Sequence, residues 1–326
     1  MLRYLQLPLI ANETATDTTH EPETLVTQKN IIISITVCFI AVIFIQLTCP
    51  LSEAQFFRRN QPDVDLFINH WQNSQPYKEF GTLDVWNILT KSDGDPLRPK
   101  KKGSVLTDLN AVRFAALLPG LETDTSTLES RQYVCYITAG EGRLFSKTGP
   151  ITIEEGNAFI IPPGVEFSLK NVSDANLTMY IVEEPIPRDF TPKQHVIVTS
   201  EYDNVISTNL RRVESDNWLL SLFDGLSTLI SFNPVMYEPK SFVPPHVHEP
   251  DIEEVWIAVR GDMKIQVGNQ QRDFPAGSAY KVPADGITPH TNINRSGPSK
   301  KLLWMMKVPV DRSRLLHDPR RFGDVI

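Results

Sequence analysis

From about residue 106 onward, short apolar runs alternate with proline, glycine and polar turns. Tyr133-Val134-Cys135-Tyr136-Ile137, Tyr180-Ile181-Val182, Val255-Trp256-Ile257-Ala258-Val259 and Leu303-Trp304-Met305-Met306 are examples. Runs of this length between turn residues predict buried strands. Prolines outnumber glycines, 25 to 16, and many stand at the ends of these runs, among them Pro119, Pro162, Pro163, Pro185, Pro283 and Pro309. That placement suits a chain of many short strands, since proline cannot donate to a ladder.

The pattern occurs twice. Gly156, five residues, Pro162-Pro163-Gly164, Phe167 and Asn171 run parallel to Gly277, five residues, Pro283-Ala284-Asp285-Gly286, His290 and Asn294. Before each copy lies a strand ending in glycine, Tyr133 to Gly140 in the first and Glu254 to Gly261 in the second. Such self-similarity predicts two copies of one all-β unit.

One run breaks the pattern. Ile31 to Leu47 is 17 residues without a charge, at the short limit for a membrane span and slightly long for the apolar region of a signal peptide. Ser52-Glu53-Ala54 offers small residues ahead of a cut that would release a chain starting at Gln55. The polar stretch from Met1 to Lys29 is unlike a short basic signal start, and initiation near Val26 would leave a more usual one. The alternative is an uncleaved anchor, with Lys29 before the run and Arg58 and Arg59 after it leaving orientation open. Either way the sequence predicts an extracytoplasmic protein, secreted or periplasmic, or held by a single N-terminal transmembrane segment.

Length and composition add bounds. The 326 residues suffice for two barrels of roughly 100 residues each with extensions, and 41% hydrophobic content supports a real core. With a net charge of −7 and no basic patch interleaved with aromatics, nucleic-acid binding is not expected. The run Arg98-Pro99-Lys100-Lys101-Lys102 reads as a solvated loop. Three cysteines give no disulfide framework: Cys38 and Cys49 belong to the leader, and Cys135 sits in an apolar strand as a small hydrophobe.

Candidate chemistry concentrates in Pro244-Pro245-His246-Val247-His248-Glu249-Pro250-Asp251-Ile252-Glu253-Glu254. On extended backbone His246 and His248 point the same way, so both imidazoles reach one ion. Glu254 follows at the head of a strand, and His290 lies downstream. Three histidines and a carboxylate form a mixed N/O donor set suited to iron, manganese, nickel, copper or zinc.

These spacings resemble the two motifs of the cupins. The first is His-x-His, a few residues, Glu, six residues, Gly, here ending Glu254 and Gly261. The second is Gly, five residues, Pro-x-Gly, two residues, His, three residues, Asn, here ending His290 and Asn294. Each motif carries one extra turn residue, and the glycine that opens the first is replaced by Lys240. The resemblance implies an all-β fold of two tandem cupin (double-stranded β-helix, jelly-roll) barrels behind the hydrophobic leader. It also implies metal ligands at His246, His248, Glu254 and His290. In the first copy Phe167 replaces the histidine, Tyr133 replaces the glutamate and no His-x-His precedes, so only the C-terminal barrel is equipped for metal. The expected organisation is a leader 1–54 with its apolar segment at 31–48, an arm 55–105, a metal-free barrel 106–186, a linker 187–214, a metal-binding barrel 215–310 and a tail 311–326. In the arm, Val64 to Trp71 reads as a short helix or a segment packing on a barrel.

A metal so held keeps one or two open positions for substrate, dioxygen or water. The resemblance favours a dioxygenase-type oxidoreductase acting on a small organic molecule, with one divalent ion per chain and iron leading the candidates. A non-redox isomerase, lyase, decarboxylase or aminohydrolase, a metal held only for stability, and a non-catalytic binding protein remain alternatives, since this fold hosts several functions. Trp256 and Lys281 are the pocket candidates, Tyr280 lies near His290 in sequence, Lys264 or Gln266 enters the pocket if strand register allows, and Glu253 is turned away from Glu254. Asn294 is expected to support its turn. His70, His195 and His317 fit no ligand spacing. The expected partner is a small-molecule substrate, with a membrane if the leader stays and a homodimer as a family tendency.

Overall fold

The larger of two sheets in the N-terminal half is built around Arg131–Ala139, whose neighbours are Leu177–Pro185 on one side and Asn157–Ile161 on the other. It continues from Leu177–Pro185 through Ala111–Leu117 and Leu83–Lys91 to Tyr77–Glu79. A smaller sheet of Gly149–Glu154, Glu141–Ser146 and Phe167–Asn171 closes over it. The C-terminal half repeats the plan. Glu253–Arg260 lies between Ser278–Lys281 and Lys300–Lys307, and Leu229–Tyr237 follows. Its smaller sheet is Ser241–Phe242, His290–Asn294, Met263–Val267 and Gln270–Phe274. The computed structural model describes residues 61–203, 206–209, 214–295 and 297–308. The leader lies outside these residues, and no helix among them is long and apolar enough to cross a membrane.

Strand alternation sorts the apolar side chains into three layers. Tyr133, Cys135, Ile137, Phe159 and Phe167 fill the first barrel. Tyr237, Trp256, Ile265, Phe274 and Tyr280 fill the second. The opposite faces of the same strands meet between the barrels, where Val134, Tyr136 and Val182 pack in one cluster with Val255, Ile257, Leu303 and Met305. Each such aliphatic or aromatic side chain contributes on the order of 1.5–3 kcal/mol by leaving water. Burial also pushes up the Cys135 thiol, which keeps it protonated and inert.

The barrels exchange strands. Ile68–His70, ahead of the first barrel, adds to the edge of the second through Ile68↔Tyr280. Ile197–Ser200, ahead of the second barrel, adds to the first through Ile197↔Ile160. Both edges, which would otherwise present unpaired N–H and C=O groups, are thereby covered. The arm is accordingly more structured than the sequence suggests. Val64–Phe67 is the short helix, capped by Asp63, while Tyr77–Glu79 and Leu83–Lys91 are strands of the first barrel, upstream of residue 106.

Two buried carboxylates lock this arrangement in matching ways. Glu253, facing away from Glu254 as expected, accepts the backbone N–H groups of Thr107, Asp108 and Leu109 at 2.6, 2.9 and 2.8 Å. Glu184 accepts those of Ser227, Thr228 and Leu229 at 3.2, 2.8 and 2.7 Å, and the Gln132 amide at 2.6 Å. Each barrel thus satisfies three backbone donors at the entrance to the other.

Candidate metal centre

The site is assembled at the mouth of the C-terminal barrel from three places. His246 and His248 come from the extended segment after Ser241–Phe242, where Val247 between them faces solvent. His246 meets His290 in an isolated antiparallel bridge, with backbone hydrogen bonds of 3.3 and 3.0 Å in both directions. Glu254 enters from the facing larger sheet. Glu254 Oε2 lies 3.0 Å from His248 Nε2 and 2.9 Å from His290 Nε2. The three imidazoles have ring centroids 4.4 to 5.2 Å apart. Among the described residues, His246, His248 and His290 form a group whose ligating atoms all lie within 4.8 Å of one another.

The electrostatics suit a cation. Burial alone would raise the Glu254 carboxyl, but the charge of His290 and hydrogen bonds from His248 and His290 hold it well below the usual carboxylate range. Burial, reinforced by His290, lowers His246 to about 4, so its ring is neutral at pH 7. Its Nδ1 lies 3.0 Å from the Pro244 carbonyl, which can only accept. The proton therefore sits on Nδ1 and the Nε2 lone pair is available to a metal. Beyond these mutual contacts, Glu254 Oε2 and His290 Nε2, both buried, meet no further hydrogen-bond partner among the described residues, as expected of atoms arranged for an ion. The donor set fits a divalent metal.

The residues around this cluster divide by strand register. Trp256 follows Glu254 onto the inner face, 6.3 Å from Tyr237 and 6.2 Å from Trp304 between ring centroids. Tyr280, opposite Trp256, also points inward and donates to Asn292 Oδ1 at 3.0 Å. Lys281 does not enter the pocket. It pairs with Val255, so it faces the first barrel and binds the Val105 carbonyl, Thr107 Oγ1 and Glu253 at 2.8, 2.5 and 3.4 Å. Lys264 and Gln266 also stay outside, Lys264 on Asp273 and Gln266 on Gln271 and the Gly268 carbonyl. Their inward neighbours are Ile265 and Val267. Asn294 supports its turn by donating to the carbonyls of Tyr237, Glu238 and Pro298 at 2.9, 3.0 and 3.2 Å. Asn171 does the same in the first barrel with Leu117 and Ala175.

Trp304 is the site residue that sequence reading missed. Its indole N–H donates to Glu254 Oε1 at 2.6 Å, which leaves Oε2 facing His248 and His290. The alternation of its strand, with Leu302 and Met306 on the same face, is the signal that could have found it. Trp304→Phe is expected to weaken metal affinity by roughly 10–100-fold, the usual cost of losing an outer hydrogen bond to a ligand. Competition titration against a metal-sensitive dye measures this, and unchanged affinity would remove Trp304 from the site.

Both departures from the motif spacing meet at the rim. The turn between His248 and Glu254 places Asp251 at φ 74°, and the later turn has Asp285 accepting from the backbone of Ile287 and Thr288. A Cβ on Gly286 would stand 2.9 Å from Pro250 Cδ, so the two insertions pack together and glycine is required there. Lys240, where a glycine would open the motif, keeps the left-handed backbone at φ 64°, and its first-barrel counterpart is Gly120 at φ 71°.

Among the described residues, the first barrel has no comparable cluster. Ser126 bridges Phe167 as His246 bridges His290. Phe167 packs edge-on against Phe80 at 5.1 Å, and Tyr133 in the glutamate position donates to Glu79 at 2.6 Å. Aromatic volume fills the space where ligands would stand.

Comparison with known proteins agrees with this division. Residues 234–306 match the cupin domain model and residues 131–188 match the AraC-like ligand binding domain model. No curated protein matches the chain in sequence. Among solved structures, a Pseudomonas aeruginosa protein provisionally described as glyoxylate-induced superposes with a TM-score of 0.60 at 15% identity, covering 74% of this chain and 87% of that one. The formate complex of Lactobacillus farciminis oxalate decarboxylase gives 0.57 at 14%, covering 75% and 86%. Bacillus subtilis oxalate decarboxylase, studied for its Mn(II) centres, gives 0.55 at 13%, covering 74% and 77%. At these identities the superpositions speak to fold. One family match in each barrel, together with whole-chain neighbours of two-barrel form, makes this chain a bicupin of the cupin superfamily.

Proposed function

We propose that the C-terminal barrel is the catalytic half of a metal-dependent enzyme, with His246, His248, Glu254 and His290 as ligands of one divalent ion. The observation that carries this reading is the convergence of the buried Glu254 Oε2 on two imidazoles at 3.0 and 2.9 Å. A bound ion would supply Lewis acidity to a substrate oxygen and, if iron, access to dioxygen chemistry. The protein supplies the rest. Trp304 fixes one carboxylate oxygen, and the Pro244 carbonyl fixes the His246 tautomer.

Within that class, a dioxygenase-type oxidation of a small organic substrate by an iron form is the leading reading. A redox-neutral decarboxylase or lyase is the second, favoured by the oxalate decarboxylases among the structural neighbours. Oxygen-electrode measurements on iron- and manganese-loaded protein with a panel of small organic acids separate them. Substrate-dependent oxygen uptake is expected for the first reading. Carbon dioxide release without net oxygen uptake would replace it with the second.

A further inference from the structure

Ser231, Asn233 and Trp256 present hydrogen-bond donors to the interior of the C-terminal barrel that no described residue uses. All three side chains are at least nine-tenths buried, at 2%, 0% and 5% exposure. Ser231 Oγ, Asn233 Nδ2 and Trp256 Nε1 each have no hydrogen-bond partner among the described residues. The Asn233 amide is oriented, because its Oδ1 accepts the Leu219 backbone N–H at 3.0 Å and so leaves the NH₂ group turned elsewhere. Leaving a buried donor unmade costs stability, so three in one wall call for an explanation.

Register puts them around the ligand Glu254. Asn233 and Trp256 flank Trp304 on either side, and Ser231 and Glu254 flank Met306 in the next row. Strand alternation sends all of them to the inner face, since Phe232, Ile257 and Met305 belong to the cluster between the barrels. The wall therefore offers an amide, an indole N–H and a hydroxyl beside the metal ligands. Its cations are elsewhere: Lys264, Lys281, Lys301 and Lys307 pair with Asp273, Glu253, Glu201 and Asp108 away from the interior.

We infer that Asn233 and Trp256, with Ser231 beside them, grip the acceptor end of a small carboxylic acid whose other oxygen reaches the metal position. Neutral donors match a carboxylate or keto oxygen, whereas a phosphate would be expected to meet paired cations. This inference rests on the proposed metal centre.

The test is isothermal titration of oxalate, malonate and succinate into the manganese-reconstituted full chain, with metal content counted in each sample. Asn233→Asp keeps the acceptor for Leu219 and removes the donor, while Trp256→Phe keeps an aromatic ring against Tyr237 and Trp304. With one metal per chain in all three proteins, each variant is expected to bind the best probe at least about tenfold more weakly than the parent, the scale of one lost hydrogen bond to a charged group. Equal affinities, or no binding of any probe by the parent, would overturn the inference. A parent chain that takes up no metal contradicts the proposed metal centre instead, and the parent-to-variant ratio on metal-free protein then decides the role of the donors by the same criterion.

Discussion

Glu253→Ala lowers the stability of the two-barrel unit by about 3–5 kcal/mol, the cost of stripping the partner from a buried charge and its donors. Glu253 is 1% exposed. Its removal leaves the N–H groups of Thr107, Asp108 and Leu109 without their acceptor and Lys281 without its carboxylate. Burial already pushes the Lys281 ammonium down, opposed by Glu253, so the variant loses the group that keeps it charged. Glu253→Gln, which keeps one acceptor oxygen, is expected to lose less. Urea unfolding followed by fluorescence measures both. At this size the alanine variant should melt roughly 10 °C lower. A loss below about 1 kcal/mol would show that the clamp between the barrels contributes no more than a surface pair.

His246→Ala reduces divalent-metal affinity by more than about 100-fold, beyond the 10–100-fold typical of an outer partner. The side chain is half-buried on an extended segment at the mouth, so its removal leaves the barrel packing intact. The metal-free variant should therefore melt with the metal-free parent, while only the parent gains stability on adding metal. Equal stabilisation of both by metal would place the ion elsewhere.

The cluster of His246, His248, Glu254 and His290 was legible because its spacing is tied to local geometry. His-x-His on extended backbone, a glutamate opening a strand and a histidine after a proline-glycine turn keep their meaning without knowledge of the whole sheet. The blind first barrel was legible for the same reason, from Phe167 in the place of His290. Lys281 was misplaced because its face depends on pairing. It sits opposite Val255, and a shift of one residue would have turned it inward. Trp304 and the matched carboxylates Glu184 and Glu253 depend on contacts between distant segments, which spacing does not encode. A charged side chain inside an apolar strand, as at Glu183-Glu184 after Tyr180-Ile181-Val182, was the available hint. The strands of the arm were hidden because Leu83–Lys91 mixes Asp84 and Asn87 with its apolar positions. The leader and the tail beyond 308 lie outside the described residues.

The most direct test of the metal centre is anomalous X-ray diffraction from crystals of the full chain, with metal identity fixed by mass spectrometry of the same preparation. One peak per chain is expected between His246, His248, Glu254 and His290, with ligand distances near 2.0–2.3 Å. It should vanish in the His246→Ala/His248→Ala protein. Crystals that show no metal at that position after reconstitution with iron, manganese, nickel, copper and zinc would contradict the account.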